Sequence, residues 1–138
     1  MKSILLLMSL ALLAAGIASA QIISPVTFTM DSSFEVGNST FPAGNYEISP
    51  TDDPSLLELR SANGSHALMF EITPLDSVTP FKQTELVFNK YGNNMVLKSI
   101  KVEDETVGAT TLTSLLERRH VKTFGKPTKV SRPARKKR

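Results

Sequence analysis

The 138 residues contain no cysteine and no tryptophan, and only two histidines, His66 and His120. Without cysteine there is neither a thiol nucleophile nor a disulfide framework, so the fold must be held by packing alone. The two histidines are far apart in sequence, and neither has a second His or a Cys at metal-ligand spacing, which argues against a zinc-type centre. The glycines form no phosphate-binding loop of the G-x-x-x-x-G-K-[ST] or G-x-G-x-x-G kind, and no serine sits in a G-x-S-x-G elbow. Paired carboxylates are the one catalytic device these absences leave open, because the fold and not the spacing sets their separation.

Long apolar runs are also absent, except at the start. Lys2 is followed by an apolar stretch from Ile4 to Ile17, broken only by Ser9 and Gly16, and then by the small residues Ala18-Ser19-Ala20. This is the layout of a signal peptide with cleavage after Ala20. A membrane span needs roughly 20 apolar residues, which this run does not reach. The expectation is a secreted or periplasmic chain starting at Gln21, with no transmembrane anchor after cleavage. An exported domain of this size without disulfides points to a bacterial export route.

Charge is unevenly placed. Between Gln21 and Glu117 stand thirteen acidic residues and five basic ones (Arg60, Lys82, Lys90, Lys98 and Lys101). From Arg118 to the end there are ten Lys and Arg and no acid. An acidic body is therefore followed by a basic tail, and the net charge of +3 hides both.

The body reads as β structure. Val26, Phe28 and Met30 alternate with threonines, as do Leu57 and Leu59 with Glu58 and Arg60. Phe34-Glu35-Val36 and Tyr46-Glu47-Ile48 read as two strands facing each other across a turn at Pro42-Ala43-Gly44. Asn63-Gly64 predicts a type I′ hairpin whose return strand runs over residues 66–73, followed by a loop over 74–80. Further strands are expected over 82–90 and 95–103, with a turn at Tyr91-Gly92-Asn93-Asn94. Asp52 and Asp53 fall in a proline-flanked turn, where an aspartate ordinarily bonds its own backbone. Leu112, Leu115 and Leu116 have helical spacing, and Ser114 with Glu117 matches a capping box, so a short helix is expected over 115–122. Arg118, Arg119 and Lys122 would suit the negative end of its dipole.

The expected fold is therefore mainly β: a small antiparallel β-sandwich or barrel of six to seven strands with a short C-terminal helix. Residues 1–20 are the signal peptide, 21–122 a single domain, and 123–138 a disordered basic tail. No catalytic, cofactor-binding or metal-binding residue is predicted. The tail carries the one implied site, for a polyanion, formed by Lys126, Lys129, Arg132, Arg135, Lys136, Lys137 and Arg138. Its partner would be an anionic envelope polymer, a lipid surface or an acidic protein patch, the body of this or a neighbouring molecule included. Specific nucleic-acid binding is not expected, since the phenylalanines fall on core faces of an acidic sheet.

The run Phe34-x-Val36-Gly37-Asn38-x-x-Phe41-Pro42-Ala43-Gly44-x-Tyr46 resembles a family of short secreted bacterial proteins that share F-x-V-G-x-x-x-[LF]-P-A-G-x-Y after a signal peptide. Two later blocks, Leu86-Val87-Phe88-Asn89-Lys90-Tyr91-Gly92 and Gly108-x-x-x-Leu112-x-Ser114-x-x-Glu117-Arg118, are similar to further blocks of that family. The resemblance spans the chain to about Arg119 and implies no activity, cofactor or catalytic residue. The expected function is thus that of an exported, non-enzymatic structural or binding module. The alternative is a small hydrolase or ligand-binding barrel using carboxylates at strand ends, such as Glu47, Glu58, Glu71 and Glu85.

Overall fold

The computed structural model describes residues 23–137, and the expected signal peptide and Arg138 lie outside them. Eleven strands and one helix follow in order: β1 Val26–Met30, β2 Phe34–Val36, β3 Ser39–Phe41, β4 Gly44–Pro50, β5 Leu56–Ser61, β6 Ala67–Asp76, β7 Glu85–Tyr91, β8 Asn94–Lys101, β9 Val107–Thr111, α1 Leu115–Phe124, β10 Thr128–Pro133 and β11 Arg135–Lys136. The described residues are mainly β, with one short helix, as the alternating apolar pattern predicts.

One sheet runs in the order β10-β7-β8-β9-β6-β5-β4-β1-β11, with β2 joined to β8 by a parallel bridge and to β3 by an antiparallel pairing. The long strand β6 serves both halves, since residues before Ile72 pair with β5 and those from Ile72 on pair with β9. The two outermost strands are consecutive in the chain, with Ala134 alone between them. This last segment pairs with β7 from Thr128 to Pro133, then with β1 at Arg135 and Lys136. The sheet is therefore bent round so that one piece of chain spans its two ends.

The face enclosed by this bend is apolar. Val26, Phe28 and Met30 of β1, Leu57 and Leu59 of β5, Leu86 and Phe88 of β7, and Leu97 and Ile100 of β8 are all buried in one cluster. Phe34 sits at its centre, edge-on to Tyr46 with ring centroids 4.9 Å apart and to Phe88 at 6.1 Å, and stacked on Phe41 at 5.6 Å. Each such ring contributes about 1.5–3 kcal/mol by leaving water, with a further 0.5–1.5 kcal/mol for a well-placed aromatic pair.

Several local expectations are corrected. The turn after β2 falls at Gly37-Asn38, not at Pro42-Ala43-Gly44: Phe34 pairs with Phe41 and Val36 with Ser39. Gly37 takes φ 60, which glycine adopts without strain. β4 pairs with β1 and β5, so Tyr46 meets Phe34 ring to ring and not as a hairpin neighbour. The β5–β6 hairpin exists, but its loop is four residues long, 62–65, closed by Ser61 N donating to His66 O at 2.9 Å. Positive φ falls on Gly64 and not on Asn63, which instead accepts the Ser65 backbone N–H at its Oδ1, 3.0 Å away. An Asx turn thus replaces the expected type I′ turn. β6 runs through Pro74 to Asp76, where a loop was expected, and β9 was not anticipated.

The largest correction concerns the tail. Residues expected to be disordered form β10 and β11, and Val130 and Ala134 pack against the core. Repeated like charge outweighed the sparse apolar positions in the sequence reading. The ladder to β7 supplies backbone hydrogen bonds that a solvated tail would lack.

Candidate functional site

α1 and β10 are consecutive elements, and both pack on β7. The helix forms where predicted and runs on to Phe124. Ser114 is its N-cap, with Oγ accepting from Glu117 N at 3.0 Å, and Gly125 closes it at φ 77. Only half of the expected capping box is made, however. The Glu117 carboxylate does not turn back to Ser114. It points into the protein, where the residue is only 2% exposed.

Beneath the helix the contacts are polar. Glu117 Oε2 accepts from Tyr91 Oη at 2.8 Å and from Asn89 Nδ2 at 3.1 Å. Its other oxygen receives no hydrogen bond among the described residues, and the nearest cation, Lys98 Nζ, stands 3.9 Å away. One turn further along, His120 Nε2 lies 2.8 Å from Glu35 Oε2 on β2, and its ring stacks on Tyr91 with centroids 5.8 Å apart. Burial, with the Glu117 carboxylate bonded to its hydroxyl, pushes the Tyr91 phenol up to about 12. These groups clamp α1 to the sheet. Glu117, Asn89 and Tyr91 are all buried beneath the helix.

With Glu117 and His120 turned inward, Leu115, Arg118, Arg119 and Lys122 are left on the solvent side, all exposed. Lys126 continues the series in the turn after α1, and Lys129 follows on β10, opposite Asn89 and so on the sheet face that carries the helix. None of Arg118, Arg119, Lys122, Lys126 and Lys129 forms an ion pair among the described residues; the pairs there involve Arg60, Lys98, Lys101, His120, Lys136 and Lys137.

The seven residues predicted to bind a polyanion thus separate. Lys126 and Lys129 belong to this cationic face. Arg132 is half-buried, sharing the face of Leu86, and donates from Nη1 to Ser131 O at 3.3 Å. Arg135 is exposed on β11 beside Thr27. Lys136 and Lys137 are spent on the body of the same molecule, 3.8 Å from Glu105 and 3.0 Å from Glu47. The Lys137 hydrogen bond holds the Glu47 carboxyl below its ordinary range. Arg138 is outside the described residues. Arg118, Arg119 and Lys122 were read only as partners of the helix dipole. Helical spacing from the inward Glu117 would have placed them together on the opposite side.

The carboxylates of the alternative reading do not converge. Glu58 pairs with Arg60 at 2.6 Å, Glu85 lies 3.7 Å from Lys101, and Glu71 is exposed on β6. Glu47 alone of the four borders a groove of about 690 Å³, which lies over the β11-β1-β4-β5 face and is lined also by Thr27, Thr29, Asn45, Arg60 and Arg135. Two smaller grooves, about 320 and 300 Å³, run beside Leu68, Met69 and Leu112 and beside Pro42, Asn63 and His66. Asp53 makes the expected turn, its Oδ1 accepting from the Ser55 backbone N–H at 2.9 Å. Among the described residues no group of three His, Asp or Glu is placed to hold a metal ion. No helix there is long and apolar enough to cross a membrane, which leaves membrane-spanning strands aside. No protein-family model, curated protein or solved structure matches the chain.

Proposed function

We propose that this chain is an exported, non-enzymatic binding module that attaches to an anionic surface through α1, the following turn and β10. The observation that carries this reading is the row of exposed cations Arg118, Arg119, Lys122, Lys126 and Lys129 on α1, the turn after it and β10, none of them ion-paired among the described residues. The body has acidic partners for Lys136 and Lys137, yet these five remain free to attract an outside anion. Fixed in place by the sheet, they need no ordering of a tail when they bind, so less conformational entropy is lost on attachment.

Deletion of residues 126–138 is a poor test, because it strips β10 from β7 and uncovers the core beside Leu86 and Phe88. Replacing the five cations by Gln leaves every described ion pair and the sheet pairing intact. With the chain from Gln21 onward, retention on immobilised dextran sulfate at low salt should fall steeply as salt rises and be lost in the five-Gln variant. Retention of that variant at the wild-type level, or failure of the wild type to bind, would overturn the reading.

A ligand-carrying role for the groove over β1, β4 and β5 is the second reading, supported by its volume and its Glu47, Arg60 and Arg135 lining. Saturable binding of a charged small molecule, abolished by Arg60→Ala and untouched by the five-Gln change, would favour it over surface attachment.

A further inference from the structure

Resting on the cationic reading above, we infer that the anionic surface is a lipid bilayer, and that α1 lies along it with Leu115, Arg118, Arg119 and Lys122 in contact. The helix is built the wrong way round for a helix that only packs on its own protein. Its inward face carries Glu117, Tyr91-stacked His120 and their polar partners. Its outward face carries Leu115, 64% exposed, among three cations. A helix on a globular domain normally does the reverse, with leucine inside and carboxylate outside.

The apolar exposure extends beyond one residue. Leu112, just ahead of the helix, is 47% exposed, and Met69 of β6, which lines the same groove, is 57% exposed. Asn38 Oδ1 accepts the Leu116 backbone N–H at 3.1 Å, fixing the start of the helix beside this groove. At the other end Phe124 turns inward onto His120 and Gly92, so the outward apolar exposure lies at the start of the helix. Exposed leucines at the start of a cationic helix are what an interfacial segment presents: the leucines enter the acyl boundary, and long basic side chains reach back to the headgroups. A soluble polyanion would use the cations and leave Leu112, Leu115 and Met69 in water. The free positive charge on the same face selects an anionic membrane over a neutral one.

Vesicle flotation tests this, using the chain from Gln21 onward so that the N-terminal apolar run adds no binding of its own. Three probes are needed: phosphatidylglycerol–phosphatidylcholine vesicles, pure phosphatidylcholine vesicles, and dextran sulfate in solution. The wild type should bind the anionic vesicles and dextran sulfate, with little binding to the neutral vesicles. Leu112→Gln together with Leu115→Gln should weaken vesicle binding by on the order of tenfold, leaving dextran sulfate binding as it was. Arg118→Gln, Arg119→Gln and Lys122→Gln together should weaken both, by roughly fivefold per cation on vesicles. Unchanged vesicle binding in the double leucine variant would overturn the bilayer inference while sparing the cationic reading, and would point to a wall or capsule polymer. Absence of wild-type binding to every probe would overturn both.

Discussion

Replacing Tyr91 by Phe removes one oxygen, and with it the shorter of the two hydrogen bonds received by the buried Glu117 carboxylate. What remains is Asn89 at 3.1 Å, and a Lys98 ammonium that at 3.9 Å is too distant to donate. Loss of one donor to a buried charged group costs about 1.5–3 kcal/mol, because water cannot enter to replace it. The ring itself still packs on His120, so little van der Waals contact is lost. In a domain of this size, 1 kcal/mol corresponds to roughly 3–5 °C in Tm. Thermal unfolding followed by far-ultraviolet circular dichroism at neutral pH should therefore show a fall of about 5–15 °C in the Tyr91→Phe protein. The same change made in a Glu117→Leu background should cost far less, giving a coupling energy of about 1–2 kcal/mol. A Tyr91→Phe protein within ~0.5 kcal/mol of wild type, or an equal loss in both backgrounds, would refute the view that a carboxylate–tyrosine bond holds the helix.

Three further outcomes are expected. The chain has two tyrosines and no tryptophan, and burial raises both phenols, Tyr91 to about 12. Absorbance at 295 nm should thus show no full tyrosinate step near pH 10 until the protein unfolds, and the stability linked to Tyr91 is complete below about 10 and is lost as pH rises through about 12. A normal two-tyrosine titration in the folded state would contradict the burial of that ring. For Glu47 the sign is opposite: its folded value is depressed by Lys137, so the clasp of Lys137 on β4 contributes above the ordinary carboxylate range and fades as pH falls through the lowered value. Both side chains are partly exposed, so Lys137→Ala should cost no more than about 0.5 kcal/mol at pH 7, and the difference should vanish in acid; a larger loss that persists at low pH would deny the pairing. Finally, a Cβ added at Gly108 would clash with the carbonyl oxygen of Ile100, in backbone that cannot swing away. Gly108→Ala should therefore destabilise by about 2–4 kcal/mol in urea unfolding, and a neutral result would mean that β8 and β9 lie further apart than described.

Strands whose apolar residues alternate were legible in the sequence: β1, β5, β6 and β7 all place large side chains at every second position. Val107–Thr111 lacks that signal, because its buried residues are Gly108, Ala109 and Thr111, small groups on both faces of the strand. Partners were less legible than elements. Phe34 and Tyr46 were rightly expected to meet, but the contact is between strands that share no ladder, and side-chain patterning cannot distinguish the two cases. The cationic site was half visible. Lys126 and Lys129 stood out by composition, whereas Arg118, Arg119 and Lys122 required knowing that Glu117 faces inward. That orientation runs against the usual rule that an acidic residue on a helix seeks water, and only the tertiary partners Asn89 and Tyr91 make it favourable.

The C-terminal segment that spans the two ends of the sheet has a consequence for the order of events in biosynthesis. Val26 pairs with Lys136, residues that stand near opposite ends of the described chain, and β7 waits for β10. Until β10 and β11 are made, the outer edges of β7 and β1 are bare, and contacts of such long sequence separation form slowly. On the export proposed above, this arrangement would keep the structure incomplete until β10 and β11 had crossed the membrane. The same delay leaves two unpaired edges open to other copies, and the dense positive charge of the closing strand keeps it soluble and mutually repelling until it docks.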